Sequence, residues 1–262
     1  MITIAIATMS ASLENTIKKT FDLLSKSRRY RFLIISQGEE CDLVEIKSDV
    51  LTIIKSTTIG LSKSRNIAIE NVNSGWIWFQ DDDIQLNIDN IDILHDIILE
   101  KKSDIYFVKI GSLEQKDALY KSYSHYKKHS RFNFLKISSI EIIVNAEFVK
   151  ENQIKFDENL GLGTQLPCCE ENKFILDCFN HSASIFYVDC VACYHTTLLS
   201  NRNIDYMNSM QAKGYLLSFV PHWLAIVLFI RWGVRFSKIS ELSLFMCFRL
   251  LLQGYFIRQK AR

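Results

Sequence analysis

The sequence predicts an α/β protein built on an open, mostly parallel sheet, followed by apolar helices at its C-terminal end. Short apolar runs alternate with helical patterns over the first hundred residues, the signature of strand–helix–strand crossovers. The 262 residues are 48% hydrophobic and 23% charged, ordinary for one large packed core. Only nine Gly and two Pro are present, so long linkers and low-complexity segments are excluded, and no internal repeat is visible.

Taken in order, Ile2–Thr8 reads as a buried strand that opens into a Ser10-Ala11-Ser12 turn. Ser12 is placed to cap a helix from about Leu13 to Lys26, whose apolar positions 13, 17, 21 and 24 fit helical spacing. Phe32–Ser36 and Leu51–Lys55 are the second and third strands, and a helix begins within Gly60-Leu-Ser-Lys-Ser-Arg-Asn-Ile-Ala-Ile. Trp76–Phe79 is the fourth strand, with Asp81, Asp82 and Asp83 at its C-terminal end. Open parallel sheets bind ligands beyond the C-terminal ends of their strands. Ile91–Leu99 reads as a helix and Ile105–Ile110 as a strand. Residues 111–136, rich in Tyr and containing His125 and His129, read as an excursion over the site. The chain returns through strand Ile137–Val144, helix Glu170–Phe179, and one bent or two short strands over Ile185–Tyr194.

Three adjacent carboxylates raise one another's pKa unless positive charge lies between them. Oxygen donors of this kind suit Mg²⁺ or Mn²⁺, with water and phosphate oxygens completing the shell. Ser62-Lys63-Ser64-Arg65-Asn66, at a helix start, offers backbone N–H groups and a guanidinium as a cradle for phosphate or ribose.

Seven cysteines, at 41, 168, 169, 178, 190, 193 and 247, form an odd number with no signal peptide ahead of them. Reduced, cytosolic thiols are expected. Cys190-x-x-Cys193 lacks a second matching pair and reads as buried strand thiols rather than a zinc site.

The Gly60–Ile69 run, Trp76-Ile-Trp-Phe-Gln-Asp-Asp-Asp and Cys169-Glu170-Glu171-Asn172-Lys173-Phe174 occur in this order. Together with Phe186–Asp189 and Val191–His195, they resemble family-two glycosyltransferases with the A-type, Rossmann-like nucleotide-sugar-binding fold. That resemblance spans roughly residues 1–200. It implies that Asp81 contacts the nucleoside beside Asp82, and that Asp83 holds the metal together with Asp81 and His195. It makes Glu171 the base that deprotonates the acceptor hydroxyl, and Glu170 a residue orienting acceptor or base. Arg65 would lie near the diphosphate, with Thr8 and Ser10 in the base-binding loop. The chain departs from the family in having Ser36-Gln37-Gly38-Glu39 where Asp-Asp-Gly-Ser is common, so Gln37 would offer an amide in place of a carboxylate. It also carries Glu rather than the commoner Asp as base.

The last 32 residues hold seven basic residues against Glu241, a balance of +6, whereas the whole chain carries only +2. A basic tail, without a basic aromatic-laced face on the main body, points to an anionic membrane surface and away from nucleic acid. Tyr215–Trp232 and Leu242–Ile257 are apolar but interrupted, and the clean run Leu224–Ile230 is too short to span a bilayer. Helices lying on a membrane are expected, with residues 1–213 catalytic and 214–262 associating with the membrane.

The expected activity is therefore inverting transfer of a hexose, galactose or glucose being the candidates, from a UDP-sugar to a polyprenyl-diphosphate-linked saccharide. This would take place at the cytoplasmic face of a bacterial inner membrane, in O-antigen or capsule synthesis. The alternative is a catalytically silent sugar-nucleotide-binding or scaffold subunit of a polysaccharide assembly complex; a missing acid at 171 or in the triplet would have supported it, and both are present. A nucleotidyltransferase would need a Gly-rich phosphate loop near the start, and residues 1–15 contain no Gly.

Overall fold

A computed structural model describes residues 1–25, 29–38, 48–115, 117–123, 131–196 and 205–260. Lys26, Glu39, Cys41, His125, His129 and Arg262, which figure in the sequence reading, lie outside the described residues.

The strands are β1 (Ile2–Met9), β2 (Tyr30–Gln37), β3 (Leu51–Ser56), β4 (Trp76–Asp81), β5 (Gln85–Leu86), β6 (Ile105–Ser112), β7 (Ile142–Asn145) and β8 (Ile185–His195). They form one sheet in the order β3-β2-β1-β4-β7-β6-β8-β5. β1, β2, β3 and β4 run parallel, as do β6 and β8, while β7 is inserted antiparallel between β4 and β6. Side chains alternate across a strand, and here both faces are covered. Ile2, Ile4 and Ile6 enter one core with Leu13, Ile91 and Leu94, whereas Ala5 enters the other with Ala68, Phe79 and Phe174. That double burial is why the parallel strands read as continuous apolar runs.

The helices are α1 (Leu13–Leu24), α2 (Leu61–Asn71), α3 (Ile88–Lys101), α4 (Ala146–Glu151), α5 (Glu170–Asn180), α6 (Tyr206–Leu217), α7 (His222–Ile239) and α8 (Leu244–Lys260). Ser12 does not cap α1 with its side chain. It already has helical φ and ψ at the end of a 3-10 turn, and its carbonyl accepts from the Thr16 hydroxyl instead. The expected strand over Ile137–Val144 is a strand only from Ile142. Ser138 and Glu141 form a reciprocal capping box just before it, which takes the chain into a tight turn. β8 is a single strand whose pairing to β6 is broken by irregularities around Lys109.

The C-terminal helices begin earlier than expected, at Tyr206, so a boundary after residue 213 falls inside α6. Pro221, which interrupts the apolar run, lies just ahead of α7, where its missing N–H is harmless. α6 and α8 touch backbone to backbone. A Cβ added at Gly254 would lie 1.9 Å from the Gln211 carbonyl oxygen, and one at Gly214 would lie 2.1 Å from that of Leu251. Leu216, Leu224, Leu228 and Leu250 join the same core as Phe174 and Ile175 of α5. Phe219 lies between two cations, with Lys173 Nζ 4.3 Å and the Arg258 guanidinium 3.9 Å from its ring centre. No helix among the described residues is long and apolar enough to cross a membrane.

Candidate active site

β1, β2 and β4 end side by side, and their C-terminal ends open into a cleft of about 310 Å³. Thr8, Gln37, Asp81, Asp82, Asp83 and His195 line it, together with Gly60, Leu162 and Gly163. Ser10, Arg65, Glu170 and Glu171 stand outside that lining.

Each aspartate has a different setting. Asp82 accepts a 2.6 Å hydrogen bond from the Thr8 hydroxyl, and Lys19 Nζ donates to its backbone carbonyl at 2.9 Å. Burial pushes the Asp81 carboxyl above its ordinary value, a rise opposed by the Arg65 guanidinium and reinforced by Asp83. Asp83 is half exposed, and its Oδ2 lies 3.7 Å from His195 Nε2. His195 Nδ1 is 2.8 Å from the Thr196 carbonyl, which can only accept, so Nδ1 carries a hydrogen and Nε2 is the nitrogen that faces Asp83. The Tyr120 ring meets His195 edge-on, with centres 5.2 Å apart, which brings Tyr120 to the rim of the site.

Among the described residues, no group of three His, Cys, Asp or Glu side chains is gathered tightly enough to hold a metal alone. The pair does fit an ion that keeps most of its shell for water and phosphate. Asp83 offers an exposed carboxylate, and the His195 tautomer is fixed by its other nitrogen.

Arg65 differs from its expected placement near a diphosphate. It is 3% exposed and stacks over the Phe156 ring at 5.4 Å. Its Nη1 donates to Glu170 Oε1 at 3.0 Å, while Nη2 meets Ser139 Oγ at 2.8 Å and Asp81 Oδ1 at 3.5 Å. It thus joins the aspartate cluster to the first turn of α5. Ser62 and Asn66 of the expected phosphate cradle are likewise engaged inside the protein, while the buried Ser64 hydroxyl has no hydrogen-bond partner among the described residues. The Leu61 N–H donates to the Leu162 carbonyl, the Ser62 hydroxyl to that of Leu160, and the Asn66 amide to Phe156 and Glu158. Gln37 lines the cleft, but its amide nitrogen donates to the Gly60 carbonyl and its oxygen accepts from the Gly60 N–H. Ser10 donates to the Gln37 carbonyl at 2.9 Å, bracing the same loop.

Residues 160–163 therefore close on the start of α2. Gly163, at φ +90°, comes so near that a Cβ would lie 3.1 Å from Gly60 Cα. α5 starts beyond this loop, after Cys169 in the left-handed region at φ 77°. Glu170 and Glu171 occupy its first turn, where the helix dipole favours carboxylates. Burial outweighs that effect at Glu171. With the adjacent Glu170 charge, it pushes the Glu171 carboxyl well above the usual carboxylate range, while its own backbone N–H and Arg65 pull it down. A carboxyl raised in this way is a stronger proton acceptor, once ionised, than an ordinary carboxylate.

A model of the family described as Glycosyl transferase family 2 matches residues 3–157, more than half of the chain. The chain belongs to that family. The matched stretch runs from β1 past α4 and includes the three aspartates; Glu170, Glu171 and His195 lie beyond it. The glycosyltransferase resembles the crystal structure of S. aureus TarS 1-349, with a TM-score of 0.61 and 15% identity over 99% of this chain and 92% of that one. The same figures hold for TarS 1-349 in complex with UDP-GlcNAc. A longer TarS structure matches with a TM-score of 0.62 at 15% identity, over 91% of this chain and 44% of that one. At this identity the likeness establishes the fold. No curated protein gives a significant match.

Sequence reasoning missed Lys19, the double engagement of Gln37 with Gly60, and the inward turn of Arg65. Each depends on a partner 23 to 105 residues away. The only local hints were the glycines at 60, 161 and 163.

Proposed function

We propose that the chain is an inverting hexosyltransferase that moves a hexose from a UDP-sugar to a saccharide carried on a polyprenyl diphosphate. It would work at the cytoplasmic face of a bacterial inner membrane, in the synthesis of surface polysaccharide. The observation that carries the reading is the Arg65 bridge, which ties Asp81 in the lining of the cleft to the helix turn that bears Glu171. Likeness to a fold that holds UDP-GlcNAc in TarS supports a UDP-sugar donor.

In this reading the nucleotide lies in the cleft above β1 and β4, with Asp81 and Asp82 at its sugar side and Thr8 fixing Asp82. Glu171 takes the proton from the acceptor hydroxyl as that oxygen bonds to the anomeric carbon. The carbon's bond to the diphosphate oxygen breaks from the opposite face, so configuration inverts. Glu170 is held by Arg65 and keeps the turn in place. Asp83 and His195 would hold a Mg²⁺ or Mn²⁺ ion, which offsets charge on the departing diphosphate when bound. Positioning and charge stabilisation supply most of the barrier reduction in such a site.

Association with the membrane is supported by an apolar face left uncovered. Trp223, Ile226, Val227 and Ile230 of α7 and Phe245 of α8 are more than half exposed, beside the exposed basic residues Arg231, Arg235, Lys238 and Arg249. A donor screen with a synthetic diphosphate-lipid acceptor, with and without Mn²⁺, tests the whole reading. Turnover of a UDP-hexose is expected, and absence of transfer from every UDP-sugar would overturn it.

A further inference from the structure

Two adjacent thiols stand immediately before the catalytic helix and belong to none of the roles above. Cys168 is partly exposed and Cys169 is buried, with their sulfurs 3.6 Å apart. Lys213 of α6 reaches into the same place, its Nζ 3.9 Å from Cys169 Sγ. The rings of Trp232 and Phe236, at 5.3 and 5.8 Å from that ammonium, form an apolar wall around it. Lys213 thus meets a sulfur where a surface lysine would meet water.

We infer that Cys168, backed by Cys169 and Lys213, is a thiol-modification site that forms reversible mixed disulfides with small disulfide compounds and thereby controls the catalytic helix. Thiolates are favoured beside a lysine ammonium and at a helix N-terminus, and both are present. The hydrogen bond shared with the Cys169 sulfur holds the Cys168 thiol down to about 7, with burial opposing and Lys213 assisting. Glu170 of α5 opposes the Cys168 thiolate and Glu171 opposes that of Cys169, while the Ser209 side chain favours the Cys168 thiolate and the Ser209 carbonyl oxygen lies 3.8 Å from Cys168 Sγ. Arg235 of α7 adds positive charge near Lys213. Cys178 and Cys193 are buried in apolar surroundings that push their thiols up, and Cys190 is pushed up to about 11. Cys168 is therefore the nucleophile among the described thiols.

The step balances without a further reagent. The Cys168 thiolate attacks one sulfur of R–S–S–R, a new S–S bond forms, the old one breaks, and RS⁻ leaves and takes a proton from water. Cys169 is poorly placed to resolve the product. Adjacent Cα atoms are about 3.8 Å apart, below the roughly 4.4–6.8 Å that disulfides span. The adduct persists until an external thiol removes it. It would place a bulky group three residues before Glu171. This second effect rests on the reading of Glu171 as the base.

The test uses the reduced full chain, 2-hydroxyethyl disulfide as probe, and peptide mass spectrometry between pH 5.5 and 9. Cys168 is expected to react at least about tenfold faster than Cys190 at pH 6, with a rate half-maximal near pH 7. Cys169→Ala and Lys213→Gln should move that midpoint upward, while Lys213→Arg keeps it. Should Lys213→Gln fail to fold, the Cys169→Ala profile decides. Reaction at Cys168 no faster than at Cys190, or a midpoint at the ordinary thiol value of about 8.5, overturns the site. In a transfer assay the adduct should lower the rate at least about tenfold and dithiothreitol should restore it, with Cys168→Ser active and insensitive. A modified protein with unchanged transfer would overturn control of the helix while leaving the labelling result in place. The labelling arm decides the site even if no donor is turned over.

Discussion

Arg65 donates to Glu170 across 3.0 Å, and both side chains are almost completely buried. Two residues 105 positions apart, on α2 and α5, are joined by this contact. Removing one partner of a buried pair leaves the other uncompensated, at about 3–5 kcal/mol. Arg65→Met is expected to lose stability on that scale in denaturant unfolding. Glu170→Gln keeps a hydrogen-bond acceptor and should lose less. A fully stable Arg65→Met would show that the pair does not hold the site together.

Glu171→Gln should bind the donor as before while transfer falls by about 10²–10⁴-fold, equivalent to about 3–5 kcal/mol of barrier. Because burial raises the Glu171 carboxyl, its neutral form suits the fold. The stability it contributes is full below the ordinary carboxylate value and is lost as pH rises toward the raised one. The same substitution should therefore raise the Tm at neutral pH by about 2–4 °C for each kcal/mol of strain relieved. Differential scanning calorimetry beside a rate assay checks both. Normal transfer by this variant would place the base elsewhere.

The pH–rate profile should reflect the same shift. The base acts when ionised, so transfer should rise with pH along a limb lying well above pH 4.5. Glu170 charge raises the Glu171 carboxyl and Arg65 lowers it. Glu170→Gln should therefore move the limb to lower pH, if enough activity remains to measure. A limb that stays in place contradicts the coupling.

Asp83→Ala should abolish transfer without unfolding the chain, since Asp83 is half exposed at a strand end. EDTA should do the same to the unaltered protein, with Mn²⁺ or Mg²⁺ restoring it. Full activity of Asp83→Ala in excess EDTA would rule out a metal. Isothermal titration of Mn²⁺ in the presence of UDP gives an independent reading.

Phe245→Glu with Ile226→Glu should release the protein from vesicles containing anionic lipid while its circular dichroism spectrum stays the same. Both side chains are more than half exposed, so the fold loses little. Deleting residues 216–262 would be a poor substitute, because Leu216, Leu224 and Leu250 complete the core over α5. Unchanged vesicle binding by the double variant would place the membrane contact elsewhere.

The fold was legible where a strand is buried on both faces or a helix has one apolar stripe, as in β1, β4 and α5. It was less legible where a short element depends on distant partners. β5 is two residues long and exists through pairing with Tyr194 and Cys193. α4 is a six-residue helix begun by Asn145, whose side chain accepts from Phe148. In the site, the structure has the aspartates at a strand end and Glu171 in a helix-opening turn, where the first were visible by pattern and the second by likeness to the family's motif. The direction of Arg65 was not, because an arginine in a first helical turn reads equally well as solvent-facing, and only the fold shows the carboxylate waiting beneath it.

The cations on Phe219 and the shared core over α5 pack the C-terminal helices against the catalytic body. Gly214 and Gly254 hold α6 and α8 backbone to backbone, and Gly254→Ala alone should destabilise the protein by about 1–3 kcal/mol or more. If the uncovered face of α7 and α8 rests on lipid, the mouth of the cleft is then held at one height and one tilt above the bilayer. The protein would act as a ruler. An acceptor's sugar chain must be long enough to reach Glu171 and short enough not to overshoot it, so glycan length would be measured by the mount rather than by any contact within the cleft.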